Sequence, residues 1–179
     1  MLLYIGQVIW FFFPAGAANI AASLSRFFPC FNYPVDFGKS FRSKRIFGDH
    51  KTWRGLIFGI IFGVLFFWLQ QYLHQFDFFN KLSIISYTEN DWNIGFLLSL
   101  GAVLGDLVKS YFKRRLNITP GKTWVPFDQI DYVVGAILFV SLFYFPGWKI
   151  VSAAVLLGFL FHVLVNLTAY IMKLQDNKL

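Results

Sequence analysis

Five long apolar runs dominate this chain, and they constrain its fold more than any other feature. The runs cover about residues 2–25, 55–73, 92–112, 131–147 and 149–172. A helix needs roughly 20 residues to cross the hydrocarbon core of a bilayer. The chain is also only 14% charged, whereas a soluble domain is roughly 25% charged. We therefore predict an all-α, polytopic membrane protein with five transmembrane helices in a single domain, residues 1–179.

Basic residues between the runs predict the orientation of these helices. Most Lys and Arg fall in segments 26–54 and 109–122, whereas the opposite side carries only Lys81 and Lys149 beside acidic residues. The positive-inside rule then places the N-terminus outside and the C-terminus in the cytoplasm. The same distribution explains the net charge of +7 without a nucleic-acid partner. No base precedes Arg26, which favours a retained first helix over a cleaved signal peptide.

Three further features of the sequence carry more specific expectations. Pro146, Gly147 and Trp148 separate the fourth run from the fifth, which predicts a tight hairpin. Cys30 is the single cysteine, so an intrachain disulfide is excluded. Gly101 and Gly105 form a small-xxx-small pair, which indicates close packing of the third helix.

The first basic loop ends in an unusual stretch, GDHKTWR, directly before the second run. Two glycines bracket it, and glycine allows backbone amides to approach an anion closely. An anchor at anionic headgroups is the alternative, but an acid and a histidine would weaken it. We predict a polyphosphate site. Its candidate ligands are Gly48, Asp49, His50, Lys51, Thr52 and Arg54.

The second basic loop contains acids as well as bases. Asp106 lies within an apolar helix, where an ionisable residue usually serves a functional site. Lys109 and Lys113 follow at i+3 and i+7, on the same helix face, so mutual neutralisation of Asp106 and Lys109 is an alternative. Asp128 and Asp131 are one turn apart at the start of the fourth helix.

Two interpretations of Asp128 and Asp131 remain open from the residues alone. Asp128 as an N-cap, with Asp131 in the first turn, is favoured by the helix dipole. Alternatively, the pair joins Asp106 in a site for Mg²⁺, which prefers carboxylate oxygens and phosphate. Nearby bases and a Pro120–Gly121 turn favour a phosphoryl-type site.

Polar residues inside the apolar runs are also candidates. Asn19 lies in the first run, where helix packing and substrate contact are equally reasonable. His162 and Asn166, spaced i and i+4, indicate a structural bond between helices. His50 has no second histidine at ligand spacing, which argues against zinc.

Two long segments carry a family resemblance. PVDFGKSFRSKRIFGDHKTWRG and LGAVLGDLVKSYFKRRLNITPGKTWVPFDQIDYVVGA resemble the CDP-archaeol synthase family. A more distant similarity is to the CDP-diacylglycerol synthases. Its signature here is Ser110, Lys113–Arg114, Pro120–Gly121, and Asp128 with Asp131. The first run, FPAGAANIAA, is also similar to the closer family, which favours a Pro after the Asn-containing segment where this chain has Ala and Ser.

The resemblance implies an activity. Such enzymes transfer CMP from CTP to 2,3-di-O-geranylgeranylglyceryl phosphate, with Mg²⁺, and release pyrophosphate. CTP and a membrane lipid phosphate are then the partners, and the site lies at the cytoplasmic face of the cell membrane. The oligomeric state stays open, with a homodimer among the options.

The resemblance also implies roles for individual residues. Asp106, Asp128 and Asp131 would hold Mg²⁺ and, with Lys109, form the catalytic set. The phosphates of CTP would meet both loops, and the lipid tails would lie between the first, second and fifth helices, with Asn19 as the lipid contact. The CTP ligands in the second loop would be Lys113, Arg114, Gly121 and Lys122, beside those named in the first.

Three rival functions differ in chemistry. The same transfer to diacyl phosphatidic acid would change only the lipid. A transporter or lipid-binding scaffold would place its charges near the bilayer midplane, whereas here they cluster at one interface. A CDP-alcohol phosphotransferase needs Asp-Gly and Ala-Arg dipeptides, which this sequence lacks.

Overall fold

The computed structural model describes residues 1–87, 91–119 and 122–171, and for residues 165, 166, 169 and 170 it describes the backbone alone. The regular structure of the described chain is helical apart from one short two-stranded hairpin, which confirms the predicted all-α class. Its helices are α1 (Leu2–Leu24), α2 (Trp53–Leu73), α3 (Asp77–Leu82), α4 (Trp92–Arg115), α5 (Phe127–Val140) and α6 (Trp148–Ile171). A 3-10 turn, Ser25–Phe27, continues α1.

Three of the helices are long and apolar enough to cross a membrane. They are α1 with its 3-10 turn, α2 and α4, and α6 adds a shorter apolar stretch, Trp148–Leu164. Large apolar side chains cover the outside of the bundle, including Trp68 on α2, Leu138 on α5 and Leu156 on α6. A surface of this kind is stable in lipid and costly in water. The bundle is therefore that of a multi-pass membrane protein.

The fourth predicted span differs from the observed helix. α5 begins at Phe127, directly after Pro126, and ends at Val140 after 14 residues, whereas the apolar run extends to residue 147. Residues 141–143 form a turn, and the following residues up to Pro146 are not helical. Proline lacks the amide hydrogen that a continuing helix needs and disfavours helical backbone before it. The link to α6 is therefore longer than the predicted three-residue hairpin.

Two small elements were not predicted from the sequence. α3 lies between α2 and α4, and the side chain of Gln7 on α1 donates to the carbonyl of Lys81 at 3.1 Å. In the first loop, β1 (Ser40–Phe41) pairs antiparallel with β2 (Lys44–Arg45). The two residues between these strands, Arg42 and Ser43, both have positive φ. That backbone is the one a two-residue hairpin turn requires.

α4 and α5 are in backbone contact, which fixes the geometry between the C-terminal half of α4 and the N-terminal half of α5. A Cβ on Gly101 would lie 2.4 Å from the carbonyl oxygen of Gly135, and one on Gly105 would lie 2.3 Å from that of Asp131. Only glycine permits this approach. The predicted packing role of Gly101 and Gly105 is confirmed, and it brings Asp106 on α4 beside Asp131 on α5.

Candidate active site

A lysine ammonium lies among three carboxylates where α4 meets α5. Lys109 Nζ is 3.0 Å from Asp106 Oδ1, 3.1 Å from Asp128 Oδ1 and 2.6 Å from Asp131 Oδ2. Each of the four side chains is at most 19% exposed. The expected pairing of Asp106 with Lys109 is present, but it belongs to this larger group, which we call the acid cluster.

Two more lysines flank the acid cluster. Lys51 Nζ, from the first loop, is 2.5 Å from Asp106 Oδ2. Lys113 Nζ is 2.9 Å from Asp128 Oδ2. Three carboxylates thus face three ammonium groups, and their formal charges cancel. The Lys51 contact also ties the first loop to α4.

The capping interpretation of Asp128 is wrong. The N-cap residue of α5 is Pro126, and Asp128 lies in the first helical turn. Asp128 Oδ2 does accept a hydrogen bond from the backbone N–H of Trp124 at 2.5 Å. This bond links the carboxylate to the turn before α5. The same carboxylate contacts Lys109 and Lys113.

The chemistry of the acid cluster suits a divalent cation, although its cation position is filled by a lysine. The described residues contain no group of three or more His, Cys, Asp or Glu side chains already spaced for a metal. The three carboxylates instead converge on Lys109 Nζ, which shows that they can share one cation. Carboxylate oxygens are the ligands that Mg²⁺ prefers. The residues therefore fit Mg²⁺ if the Lys109 side chain turns away.

A polar cavity of about 360 Å³ joins the two loops. Five basic side chains border it, so it is suited to a polyanion such as a triphosphate. Gly48 lies on its wall with φ +100°, a backbone conformation that favours glycine. The lining residues are Arg45, Phe47, Gly48, Asp49, His50, Lys51, Lys109, Ser110, Lys113 and Arg114.

Three predicted phosphate ligands lie elsewhere. Thr52 is the N-cap of α2, and its hydroxyl accepts from the N–H of Gly55 at 3.3 Å. Arg54 is buried and donates to the carbonyl of Phe28. The side chain of Lys122 is exposed, while its carbonyl accepts from Lys113 Nζ at 2.5 Å. The Thr52 and Arg54 contacts are structural, and phosphate binding by these three residues stays a prediction. Gly121 and Pro120 lie outside the described residues.

Asp36 is a buried acid that the sequence did not single out. Its side chain is 0% exposed and forms an ion pair with Arg45 at 2.7 Å. Three backbone amides also donate to it, those of Gly38, Phe47 and Gly48, at 3.0, 3.0 and 3.1 Å. Burial alone would raise its pKa, but the bonds from Arg45 and the amides outweigh it and lower the pKa to about 2. Aspartate two residues before glycine is a turn signal, but it accounts only for the bond from Gly38.

Arg115 holds the β1–β2 hairpin against the end of α4. Its guanidinium donates to the carbonyls of Arg45 at 2.7 Å, Lys44 at 3.1 Å and Phe41. Lys44 Nζ returns a bond to the carbonyl of Arg115 at 2.9 Å. The first loop is therefore anchored to the helix that supplies Asp106 and Lys109.

A larger apolar cavity of about 840 Å³ lies between α1, α2 and α6. These are the helices between which lipid tails were predicted to lie. Phe12, Phe62 and Phe161 are among its apolar lining residues, and Asn19 and His162 are among the few polar ones. The side chain of Asn166, which was predicted with His162 to bond to another helix, lies outside the described residues.

Immediate neighbours of Asp131 line each of the two cavities. Lys109, which pairs with Asp131, lines the polar cavity. Tyr132, the next residue along α5, lines the apolar cavity. Asp131 is therefore linked to the polar cavity through an ion pair and to the apolar cavity through the chain.

Comparison with known proteins identifies the relatives of this chain. A family profile described as CarS-like CDP-archaeol synthase matches residues 1–178. The CDP-archaeol synthase of Methanocaldococcus jannaschii is 36% identical, over 94% of this chain and 93% of that protein. The CDP-archaeol synthase of Pyrococcus furiosus is also 36% identical, over 93% of both chains.

A solved structure shares the fold. It is described as an intramembrane enzyme for archaeal membrane lipid biosynthesis, and it matches with a TM-score of 0.65 and 27% sequence identity. The match covers 89% of this chain and 92% of the other. Sequence and structure thus agree over nearly the whole length, and the chain belongs to the CDP-archaeol synthase family.

Proposed function

We propose that this protein transfers CMP from CTP to an isoprenoid ether-lipid phosphate and releases pyrophosphate, forming CDP-archaeol. The observation that carries the proposal is that neighbours of Asp131 line both cavities, Lys109 the polar one and Tyr132 the apolar one. The polar cavity, with its basic lining, suits the triphosphate of CTP, and the apolar cavity suits lipid chains. Phospholipid biosynthesis in the membrane requires such a site, because one substrate comes from water and the other from the bilayer.

The reaction asks little acid–base work of the protein. An oxygen of the lipid phosphate forms a bond to the α-phosphorus of CTP, and the bond from that phosphorus to the bridging oxygen of pyrophosphate breaks. The nucleophile is already an anion, so catalysis consists of positioning and charge neutralisation. Lys51, Lys109 and Lys113 line the polar cavity and supply positive charge there.

Magnesium is part of this proposal. Asp106, Asp128 and Asp131 would hold Mg²⁺, which neutralises phosphate charge when it is bound. Lys109 now pairs with all three carboxylates. The ammonium and the metal would compete for the same oxygens, so Lys109 would pass from the carboxylates to a phosphate. The exchange would keep opposite charges paired, because Mg²⁺ would replace the ammonium at the carboxylates and a phosphate would replace the carboxylates at the ammonium.

The membrane arrangement is a further part of the proposal. We place five crossings in the cell membrane, with the N-terminus outside and the active site at the cytoplasmic face. The distribution of bases between the helices supports this orientation. α5, at 14 residues, spans about 21 Å and would need residues 141–147 to complete its crossing. Reporter fusions within residues 35–50 test the topology, and an external signal there would overturn it.

An activity assay on detergent-purified protein tests the reaction. α-Labelled CTP and Mg²⁺ are supplied with either geranylgeranylglyceryl phosphate or diacyl phosphatidic acid, and label is followed into lipid. Label with the ether lipid alone supports the proposal, and label with phosphatidic acid alone changes the lipid class. The absence of label with either lipid, from folded protein, favours a scaffold or transporter.

A further inference from the structure

We infer that Asp36 is a positioning residue for the nucleotide, which shapes the wall of the polar cavity without touching the substrate. The inference rests on the proposed function, because it assigns the polar cavity to the phosphates of CTP. Asp36 lies outside that cavity and outside the acid cluster. Its hydrogen bonds nevertheless link it to residues that line the cavity and, through the loop that carries Lys51, to the acid cluster.

The first contact route runs through the backbone. Asp36 Oδ2 accepts from the adjacent amides of Phe47 and Gly48, at 3.0 and 3.1 Å. The N–H of Lys51 donates to the carbonyl of Gly48 at 3.2 Å, and the carbonyl of Lys51 accepts from Val35 at 2.8 Å. The segment from Phe47 to Lys51 is therefore held at both ends by residues 35 and 36. Its shape directs Lys51 Nζ to Asp106, 2.5 Å away.

The second route runs through Arg45, which lines the polar cavity. Its Nη2 is 2.7 Å from Asp36 and its Nη1 is 2.5 Å from Asp49. Asp49 is 75% exposed, whereas Asp36 is 0% exposed. The buried carboxylate is the firmer of the two partners, because water competes with the exposed pair. Asp36 thus orients the guanidinium of Arg45 at the edge of the polar cavity. The sequence did not identify Arg45 as a phosphate ligand.

A carboxylate suits this position better than a neutral side chain. A buried carboxylate is costly unless its oxygens are bonded, and here two oxygens receive four donors. Asparagine has one oxygen in place of two and presents N–H groups toward the remaining donors. Asp36→Asn should therefore release part of the loop, and Asp36→Ala should release all of these bonds.

The test separates positioning from simple stability. The KM for CTP, the KM for the lipid phosphate and kcat are measured for the full-length wild type, Asp36→Asn and Asp36→Ala, with the melting temperature of each. We expect Asp36→Ala to raise the KM for CTP about 20-fold and Asp36→Asn about 5-fold, with less than a 2-fold change in the KM for lipid. Asp77→Asn, an exposed carboxylate on α3, is the matched control and should change neither constant.

Each outcome decides the inference. An equal rise in both KM values, or an unchanged KM for CTP in folded protein, would overturn it. If Asp36→Ala fails to fold, Asp36→Asn alone decides. CTP binding by calorimetry, without lipid, gives a readout that is independent of turnover. If the wild type binds CTP but labels no lipid, the proposed reaction fails, while weaker CTP binding by the variants still supports the role of Asp36.

Discussion

Among the described residues, the buried acid Asp36 and the half-buried acid cluster have their charges satisfied in different ways. Three backbone amides and one guanidinium surround Asp36, whereas the acid cluster shares the ammonium groups of three lysines. Backbone amides cannot leave without unfolding the loop, but a lysine side chain can change partner by rotation about its own bonds. Asp36 is therefore suited to maintaining a shape, and the acid cluster is suited to exchanging its cations for those of a substrate.

Asp131→Asn should give the largest effect of any single change. Asp131 pairs with Lys109 at 2.6 Å, and its neighbours Lys109 and Tyr132 line the polar and the apolar cavity, respectively. We expect turnover to fall about 1000-fold or more, with an unchanged melting profile. Label transfer from CTP to lipid measures the loss. Retained activity in this variant would remove Asp131 from the reacting centre.

Lys109→Met tests whether the acid cluster exchanges cations. We expect turnover to fall about 100-fold, because Lys109 would no longer reach a phosphate. In the absence of CTP, however, the affinity for Mn²⁺ should rise about 10-fold, since a competing ammonium has been removed. Electron paramagnetic resonance of free Mn²⁺ measures this binding. An unchanged or weaker Mn²⁺ affinity would show that the three carboxylates do not hold the metal.

Lys51→Ala links the two regions, because Lys51 belongs to the loop that Asp36 shapes and pairs with Asp106. We expect the KM for CTP to rise about 10-fold and the KM for lipid to change less than 2-fold. Steady-state kinetics with each substrate varied in turn provide the measurement. A larger effect on the lipid would place Lys51 at the lipid headgroup.

Gly101→Ala should disturb the acid cluster while sparing the loop around Asp36. The new Cβ would lie 2.4 Å from the carbonyl oxygen of Gly135, so α4 and α5 must separate. We expect a loss of about 1–3 kcal/mol in stability and about a 5-fold loss of turnover, with the affinity for CTP retained. Gly16→Ala, where nothing lies within 4 Å of the new Cβ, is the matched control for stability. Equal stability of the two variants would contradict the backbone contact.

The helices and the acid cluster were accessible from the sequence for physical reasons. Long apolar runs between charged segments have few other solutions than membrane helices. The i, i+3 and i+7 spacing of Asp106, Lys109 and Lys113 places them on one face whatever the surroundings. The position of Asp131 beside Asp106 then follows from the small residues at Gly101 and Gly105.

Other features depend on contacts that no local pattern encodes. Asp36 is bonded to amides 11 and 12 residues away, and nothing near Asp36 reveals those partners. Thr52 and Arg54 have side chains that suit phosphate binding, but the Thr52 hydroxyl caps α2 and the Arg54 guanidinium donates to the carbonyl of Phe28. The early end of α5 could not be predicted, because the sequence stays apolar beyond Val140.

The apolar cavity between α1, α2 and α6 has a consequence for how the reaction rate of such an enzyme is assayed. Much of its lining comes from α1 and α2, which are long and apolar enough to cross a bilayer, so a lipid substrate would enter by lateral diffusion and never pass through water. Its supply is then set by the mole fraction of substrate in the membrane, whereas that of CTP is set by molarity. Diluting the lipid phosphate with inert lipid would slow the reaction at constant bulk concentration, and adding more vesicles of the same composition would not.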